Sequence, residues 1–295
     1  MTGIHKKKVT PYIFIAPQMV GYLLFVLGPL IAVLVYSFQD RNLLTGINQF
    51  VGLQNFSKMF RHDPIFWKTI GNTITFSLGQ VPLNILLSLA IAIMLSRQFR
   101  GVGFFRTLFF SPVVTSAVAW AIVWKFLLQG GEQGAVNALL GIIGIQGPNW
   151  LFEPGWAMFS VIINRVLKNL GMNVIIFLAA VMNLPQHYYE AARIDGAGRI
   201  RIFLQITVPL LMPTLLMVTI ITVIGSLKVF DTILLLTAGG PSNSTMVLVY
   251  YIYYQAFQFF QYGYASAVAL VLFVFVLVLT AIQWSTRKRI SHYEN

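Results

Sequence analysis

Six long apolar runs alternate with polar segments along the whole chain. The runs cover residues 11–38, 69–96, 107–128, 156–182, 207–230 and 263–284. The first two each extend for 28 residues without a charged side chain. Because about 20 apolar residues are enough for a helix to cross a bilayer, the pattern predicts an all-α integral membrane protein with six transmembrane helices.

Composition supports the membrane prediction and excludes sites that depend on cysteine. Hydrophobic residues make up 57% of the chain and charged residues only 9%, whereas soluble domains carry roughly 25% charged residues. The chain has no cysteine, which excludes disulfides and thiolate metal sites. The first apolar run is longer than the core of a signal peptide and lacks a small-residue cleavage site, so we expect it to be retained as the first span.

The positive charge is concentrated at the ends of the apolar runs, on one side of the predicted membrane. The net charge is +12. The segments assigned to the cytoplasm contain Lys6, Lys7, Lys8, Arg97, Arg100, Arg106, Arg193, Arg199, Arg201, Arg287, Lys288 and Arg289. The outer segments contain only Arg41, Lys58, Arg61 and Lys68. Since cytoplasmic loops carry an excess of Lys and Arg, both termini are expected to be cytoplasmic. These Lys and Arg residues do not form the continuous basic stripe that would bind the phosphates of a nucleic acid.

The predicted organisation is therefore a single transmembrane domain over residues 11–286. Cytoplasmic tails are expected at residues 1–10 and 287–295. The cytoplasmic loop over residues 184–206 carries the most distinctive local pattern. Pro185 can occupy the first position of a helix, and Gly196 and Gly198 are expected to end that helix, because glycine tolerates the left-handed conformation found at helix ends. A second amphipathic segment then leads into the fifth run, so the loop has the shape of a lever.

Residues suited to catalysis or to metal binding do not form a recognisable set in the sequence. The eight Asp and Glu residues lie outside the middle of the predicted spans, and the four histidines have no ligand spacing. The dipeptide Gly-Lys does not occur, so the chain has no Walker A phosphate loop. We expect no enzyme activity and no cofactor in this chain. If the protein moves a solute using ATP, a partner chain must bind the ATP and Mg²⁺.

Polar residues within the spans are the candidates for a solute path. Arg165 and Lys168 would lie ~14 and ~18 Å from the start of the fourth run at 1.5 Å per residue, and such charges need protein or water beside them. Arg165, Asn169 and Met172 share one helix face by their spacing. Thr222, Ser226 and Val229 share a face of the fifth helix in the same way. These two stripes either line a path or hydrogen-bond between helices, and the sequence leaves both interpretations open.

The 184–206 loop also resembles the cytoplasmic coupling loop of permease subunits of bacterial ABC importers. The matching residues are Glu190, Ala191, Ala192, Asp195, Gly196, Ala197, Phe203, Ile206 and Pro209. Further similarity to the sugar-type permeases lies in residues 50–56, 100–107, 236–241 and 263–267. The element Thr237-x-Gly239-Gly240-Pro241 favours the first permease type of the maltose, oligosaccharide and glycerol-phosphate class.

The resemblance implies a permease subunit of an ATP-driven, binding-protein-dependent importer for a sugar, oligosaccharide or related polyol. Glu190, Ala191, Ala192, Asp195, Gly196 and Ala197 would then transmit ATPase motion. The implied partners are a second, homologous permease, two ATPase subunits, an extracytoplasmic solute-binding protein, the solute and membrane lipid. The implied location is the bacterial cytoplasmic (inner) membrane.

Three alternatives stay open at this point. An ion-coupled secondary transporter would need a buried carboxylate or a pair of unwound helices for the coupling ion. A membrane-embedded enzyme would need a titratable cluster within a span, where only Arg165 and Lys168 occur. An ABC importer permease for a solute other than a sugar would share every feature above except the solute.

Overall fold

A computed structural model describes residues 3–290 of the chain, with side chains at 12–283 and 285. The helices in this range are α1 (Gly3–Tyr22), α2 (Gly28–Tyr36), α3 (Gln54–His62), α4 (Pro64–Leu95), α5 (Val102–Val114), α6 (Ala117–Leu127), α7 (Ala135–Ile142), α8 (Pro154–Met182), α9 (Gln186–Ile194), α10 (Arg199–Ile202), α11 (Val208–Leu210), α12 (Met212–Leu227), α13 (Asp231–Leu236), α14 (Leu248–Tyr253) and α15 (Tyr262–Ile290). Turns of π-helix occupy Leu23–Leu27, Phe203–Thr207 and Tyr254–Gln258. Two short strands, β1 (Gln39–Arg41) and β2 (Asn48–Phe50), pair antiparallel.

The predicted class, an all-α integral membrane protein, is confirmed, with the small β1–β2 pair as an unpredicted addition. Within the described part of the chain, four segments are long and apolar enough to cross a membrane: Tyr12–Tyr36, Pro64–Leu95, Pro154–Met182 and Tyr262–Gln283. Two further pairs of helices pass the same test together but are sharply bent, α5 with α6 by 103° and the Arg199–Leu210 segment with α12 by 68°. Counting each bent pair as one span gives six.

The expectation that the third and fifth spans are continuous helices was wrong. Thr115 and Ser116 are extended at the break between α5 and α6, and the Ser116 hydroxyl caps α6 by accepting a hydrogen bond from the Ala119 amide, at 3.1 Å. In the fifth span the break falls at Leu211, two residues before Pro213. Proline has no amide hydrogen to donate, so the ladder of backbone hydrogen bonds is interrupted there.

Two of the polar segments between the apolar runs, which their composition predicts to be loops, contain regular structure. Residues 40–68 hold most of the β1–β2 pair, all of α3 and the start of α4, and residues 231–262 hold α13 and α14. The helices in these segments are short, and their apolar residues did not stand out against the much longer spans. The second of these segments becomes important below, because it places Asp231 at the start of α13.

By its internal contacts the chain divides into two compact units. The larger unit comprises Pro64–Tyr250 and Phe275–Asn295. Its core is formed mainly by α4 and α8, which contribute the buried residues Leu89, Ala92, Leu95, Val166, Leu170, Val174, Phe177 and Leu178, joined by Leu211 and Val218. Helix α5 also packs on α8, where Gly171 allows a close backbone approach.

The smaller unit comprises Met1–Asp63 and Tyr251–Val274. Its polar centre is the Asp63 carboxylate, which accepts hydrogen bonds from the phenols of Tyr251 and Tyr264. Burial raises the pKa of the Tyr251 phenol, and the Asp63 carboxylate raises it further, so the phenol stays protonated as a donor. Nearby, the Asn55 amide donates to the carbonyl oxygens of Ser37 and Gln39, at 3.0 and 2.9 Å.

The predicted tails lie partly outside the described part of the chain. Residues 1–2 and 291–295 are outside it, and so are the side chains of the basic groups at 6–8 and 287–289. Where the chain is described, α1 already begins at Gly3 and α15 continues to Ile290. The boundaries of the tails and their cytoplasmic side stay predictions.

Candidate functional site

The 184–206 segment folds as a short helix, a glycine turn and a second helix. Pro185 is the N-cap of α9 and not its first helical residue, so the helix begins one residue later than predicted, at Gln186. It ends at Ile194. The Gly196 amide donates to the Arg193 carbonyl at 3.1 Å, and the Ala197 amide donates to the Ala192 carbonyl at 2.9 Å. These two bonds, with Gly196 at φ 71°, define a Schellman motif. The prediction that Gly198 also ends this helix was wrong, because Gly198 is extended and is the N-cap of α10.

The predicted coupling residues lie mostly on an exposed surface of this segment. Glu190, Ala191, Asp195 and Gly196 are exposed, Ala197 is partly buried, and Ala192 is buried. Two large apolar side chains are also open, since Ile194 is 87% exposed and Ile200 is 76% exposed. Helix α9 thus has one face turned inward through Ala192 and one face available to another molecule.

The inner face of α9 is attached to the transmembrane helices beside it. The Tyr189 hydroxyl shares a 3.0 Å hydrogen bond with the Thr207 hydroxyl, in the π-turn that leads into the fifth span. A cleft of about 820 Å³ separates α9 and α10 from the ends of α4 and α8. It is lined by Ile93, Ser96, Arg97, Val181, Met182, Gln186, Tyr189, Arg193, Ala197, Arg199, Ile202, Phe203 and Thr207. Movement of α9 can therefore be transmitted directly to the start of the fifth span.

Arg165 on α8 is paired with a carboxylate that the sequence did not place near it. Its Nη1 lies 2.9 Å from Oδ1 and 3.1 Å from Oδ2 of Asp231, the first residue of α13. The same nitrogen donates to the Thr232 hydroxyl at 3.2 Å. The Arg165 and Asp231 side chains are 17% and 41% exposed. Arg165 thus has a partner within the protein, as expected for a charge inside a span. The partner, Asp231, lies in a segment that the sequence predicts to be a loop.

Lys168, one turn further along α8, occupies the break in the third span. Its Nζ donates hydrogen bonds to the carbonyl oxygens of Pro112 and Thr115. The last carbonyls of a helix have no amide donor within the helix, and a cation is favourable at this negative end. Nζ also lies 5.6 Å from the centre of the Trp120 ring. Lys168 thereby stabilises the C-terminus of α5.

A layer of neutral polar side chains joins α4, α8 and α12 within the larger unit. The Asn173 amide donates to Asn84 Oδ1 at 2.6 Å and to the Thr222 hydroxyl at 3.1 Å. Farther along α12, the Ser226 hydroxyl lies 3.0 Å from that of Ser77. Thr222 and Ser226 are only 8% and 2% exposed. In this conformation both side chains hydrogen-bond between helices.

The predicted path residues are consequently not brought together as one group. Asn169 is half-buried and Met172 is exposed, whereas Val229 is fully buried with Thr222 and Ser226. The α8 side chain that reaches Thr222 is Asn173, one turn beyond Asn169. Among the described residues, the Asn169 amide makes no side-chain hydrogen bond, so its hydrogen-bonding groups remain available.

Sequence reasoning missed Asp231, Asn84 and Asn173. The spacing Arg165, Asn169, Asn173 repeats every four residues, and this repeat was a usable signal for Asn173. Asn84 lies in the middle of an uncharged apolar run, where a single amide is itself a signal of interhelical bonding. Within residues 3–290, no three His, Asp or Glu side chains lie close enough to hold a metal ion.

Multiple apolar spans, buried interhelical polar bonds and an exposed helical loop attached to one span define a membrane transport component. The chain belongs to the family of binding-protein-dependent transport system inner membrane components, whose family model matches residues 9–292. It is therefore an ABC transporter permease.

The relatives that this chain matches cover almost its whole length. It is 36% identical to the probable ABC transporter permease protein YesP of Bacillus subtilis, over 99% of this chain and 95% of the relative. It is 37% identical to the lactose transport system permease protein LacF of Rhizobium radiobacter, over 95% of each. Among solved structures, it matches a chain of a bacterial ABC transporter that imports the acidic polysaccharide alginate, with a TM-score of 0.85, 26% identity and 97% coverage of both chains. It also matches a chain of a bacterial alginate ABC transporter in complex with an alginate pentasaccharide-bound periplasmic protein, with a TM-score of 0.85, 26% identity, and coverage of 97% of this chain and 96% of that one.

Proposed function

We propose that this permease is one of two homologous transmembrane subunits of an importer for a sugar, an oligosaccharide or a related polyol. Two ATPase subunits would bind ATP and Mg²⁺, this chain holding no cofactor, and an extracytoplasmic binding protein would deliver the solute. The transporter would lie in the bacterial inner membrane, with both termini of this chain cytoplasmic. The solute class is supported by relatives such as the lactose permease LacF, and the delivery step by the complex of the alginate transporter with its periplasmic protein. The comparisons give no support to an ion-coupled transporter.

The observation that carries this proposal is the attachment of α9 to the fifth span. The helix is closed by the Gly196 turn, exposes Glu190 and Ile194, and is bonded to the fifth span through Tyr189 and Thr207. A partner that binds the exposed face would move α9 as a rigid body. The bond to the π-turn would pass that motion to the fifth span, so that ATP-driven closure of the ATPases rocks the spans between inward- and outward-open states.

The exposed carboxylate of Glu190 provides a test of this role. We expect Glu190→Ala to lower ATPase binding and solute-stimulated ATP hydrolysis roughly tenfold, which corresponds to about 1.4 kcal/mol. The measurement is copurification of the ATPase with the assembled transporter, followed by ATP hydrolysis in proteoliposomes containing the binding protein. Glu132→Ala is the matched control, since Glu132 is also exposed but lies between the third and fourth apolar runs, a segment expected on the outer side. Equal activity of the two variants would contradict the coupling role.

The proposed solute path runs along α8 and α12. Arg165, Asn169 and Met172 would contribute from α8, Thr222 and Ser226 from α12, and Val229 from the segment just after α12. The available amide of Asn169 supports the α8 half in the present conformation. The buried α12 half would have to separate from Asn173 and Ser77 in another transport state before it could meet solute.

Single cysteines can test both halves, because the native chain has none. We expect Asn169→Cys to react with a charged, membrane-impermeant thiol reagent in the resting transporter, and transported solute to slow the reaction. Thr222→Cys and Ser226→Cys should react only during ATP turnover. Val218→Cys, in the core of the same helix, is the unreactive control. If the α12 cysteines stay unreactive in every transport state, those residues only join helices and the path lies elsewhere.

A further inference from the structure

The cleft between the 184–206 segment and the ends of α4 and α8 concentrates positive charge. It is lined by Arg97 just after α4, Arg193 on α9 and Arg199 at the start of α10, and no Asp or Glu is among its described lining residues. Within the part of the chain that the structure describes, these three guanidinium groups make no ion pair and no side-chain hydrogen bond. Arginine stays charged and binds phosphate oxygens through two parallel N–H groups. The cleft is therefore suited to a phosphate group with a negative charge.

A second cavity, the aromatic groove, adjoins this cleft and has a volume of about 560 Å³. Ile93 and Arg97 line both cavities. Apart from Arg97, every residue that lines the aromatic groove is apolar, and the set includes Met94, Phe99 and Phe105, all of which are exposed. The groove lies between the last turn of α4 and the first turns of α5. Here the second and third spans enter the hydrocarbon layer of the membrane, so the groove can accept an acyl chain.

The two cavities together match a molecule that carries both an anionic phosphate and a hydrocarbon chain. A soluble phosphate compound would leave the aromatic groove empty, whereas a zwitterionic lipid would bring no net charge to balance the three arginines. Basic pockets between membrane helices are an established type of site for the head groups of anionic lipids. Arg97, which lines both cavities, lies where the head group of such a lipid would meet its chain.

We propose that an anionic phospholipid binds at this site, with its phosphate held by Arg97, Arg193 and Arg199 and one acyl chain in the aromatic groove. The lipid would contact the α4–α5 connection and the 184–206 segment at once, and would thereby join that segment to the bilayer. The proposal does not depend on the identity of the solute, because no residue of the proposed solute path lines either cavity.

The test measures which lipid labels the aromatic groove in the assembled transporter with its ATPases. Vesicles of phosphatidylcholine contain a small fraction of either phosphatidylglycerol or phosphatidylcholine with the same photoactivatable group in the acyl chain. Labelling of residues 91–109, as a share of labelling of the whole chain, is measured by peptide mapping. In the wild type this share should be roughly tenfold higher with phosphatidylglycerol, and Arg97→Gln should lower that preference about fivefold, because it removes the arginine common to both cavities.

Arg100→Gln is the matched control for the loss of charge. Arg100 is exposed in the same α4–α5 connection but lines neither cavity, so its replacement should leave the preference within about 1.5-fold of wild type. If Arg97→Gln does not assemble, Arg199→Gln takes its place with the same expected loss and the same control. Equal labelling by the two lipids in the wild type overturns the proposal. An unchanged preference in the assembled site variant overturns it too, and so does an equal loss in Arg100→Gln.

Inorganic phosphate and glucose 6-phosphate separate a lipid site from a site for soluble phosphate compounds. Both carry the phosphate without an acyl chain, and neither should reduce labelling of residues 91–109 by phosphatidylglycerol when added in excess. If either compound abolishes the preference for phosphatidylglycerol in the wild type, the cleft binds a soluble phosphate compound and the assignment to a phospholipid is overturned.

Discussion

Replacing Gly196 with valine is expected to lower solute transport at least tenfold while the protein still inserts into the membrane. Gly196 has φ 71°, a backbone conformation that costs an ordinary residue about 1–2 kcal/mol and a β-branched residue more. An added Cβ would meet no atom within 4 Å, so the penalty comes from the backbone alone. The variant would relieve the strain by opening the Schellman turn, which would free α9 from its fixed direction. Transport in proteoliposomes and ATPase copurification are the measurements.

Gly198→Val is the matched control for this experiment. Gly198 lies two residues away, is equally open around its Cβ position, and has an extended backbone with φ −70°. Valine adopts that conformation readily, so transport should stay within about twofold of wild type. A Gly196→Val protein that transports and assembles as well as Gly198→Val would show that the turn does not transmit ATPase motion.

Replacing Gly171 with alanine is expected to destabilise the larger unit by about 1–3 kcal/mol, the usual cost of overpacking. The added methyl group would lie 2.2 Å from the carbonyl oxygen of Phe109 and 3.0 Å from the Cα atom of Phe110. Both are backbone atoms of α5, so the contact can be relieved only by moving α5 away from α8. Small residues permit such close approaches between membrane helices. The yield of monodisperse protein and the midpoint of thermal unfolding in detergent should both fall.

The same substitution at Gly225 separates packing from helix propensity. Gly225 lies within α12 and has open space where a Cβ would be. Alanine there should be neutral or stabilise the helix by up to about 1 kcal/mol, because glycine is the poorer helix former. Equal unfolding midpoints for the two variants would contradict the close approach of α5 and α8.

The positions of the spans could be predicted from the sequence, but the breaks within them could not. Apolar runs and glycines report local preferences, and they located α8, α9 and the Gly196 turn. The break between α5 and α6 is stabilised by Lys168, which comes from another helix, and no local pattern contains that contact. Proline alone was not diagnostic, because Pro82 lies within the unbroken helix α4.

The polar site shows the same limit at the level of single residues. Spacing placed Arg165 and Asn169 on one face of α8, but it could not determine which turn of that face meets α12. The structure selects Asn173 for Thr222. The pairing of Arg165 with Asp231 joins residues 66 positions apart, and it depended on recognising α13 as a helix. Such pairings are tertiary contacts, which cannot be predicted from the hydrophobic periodicity of the sequence.

The contact between Lys168 and the broken third span also has a consequence for the order of biosynthesis. The two carbonyl groups that Lys168 binds lie 56 and 53 residues before it in the chain. The ribosome therefore completes α5 and α6 well before the lysine that satisfies their junction has been made. During that interval the exposed carbonyls must be solvated by water or by the insertion machinery. The contacts that stabilise the bent third span are therefore complete only after the fourth span has joined it, so these two spans mature together as a pair.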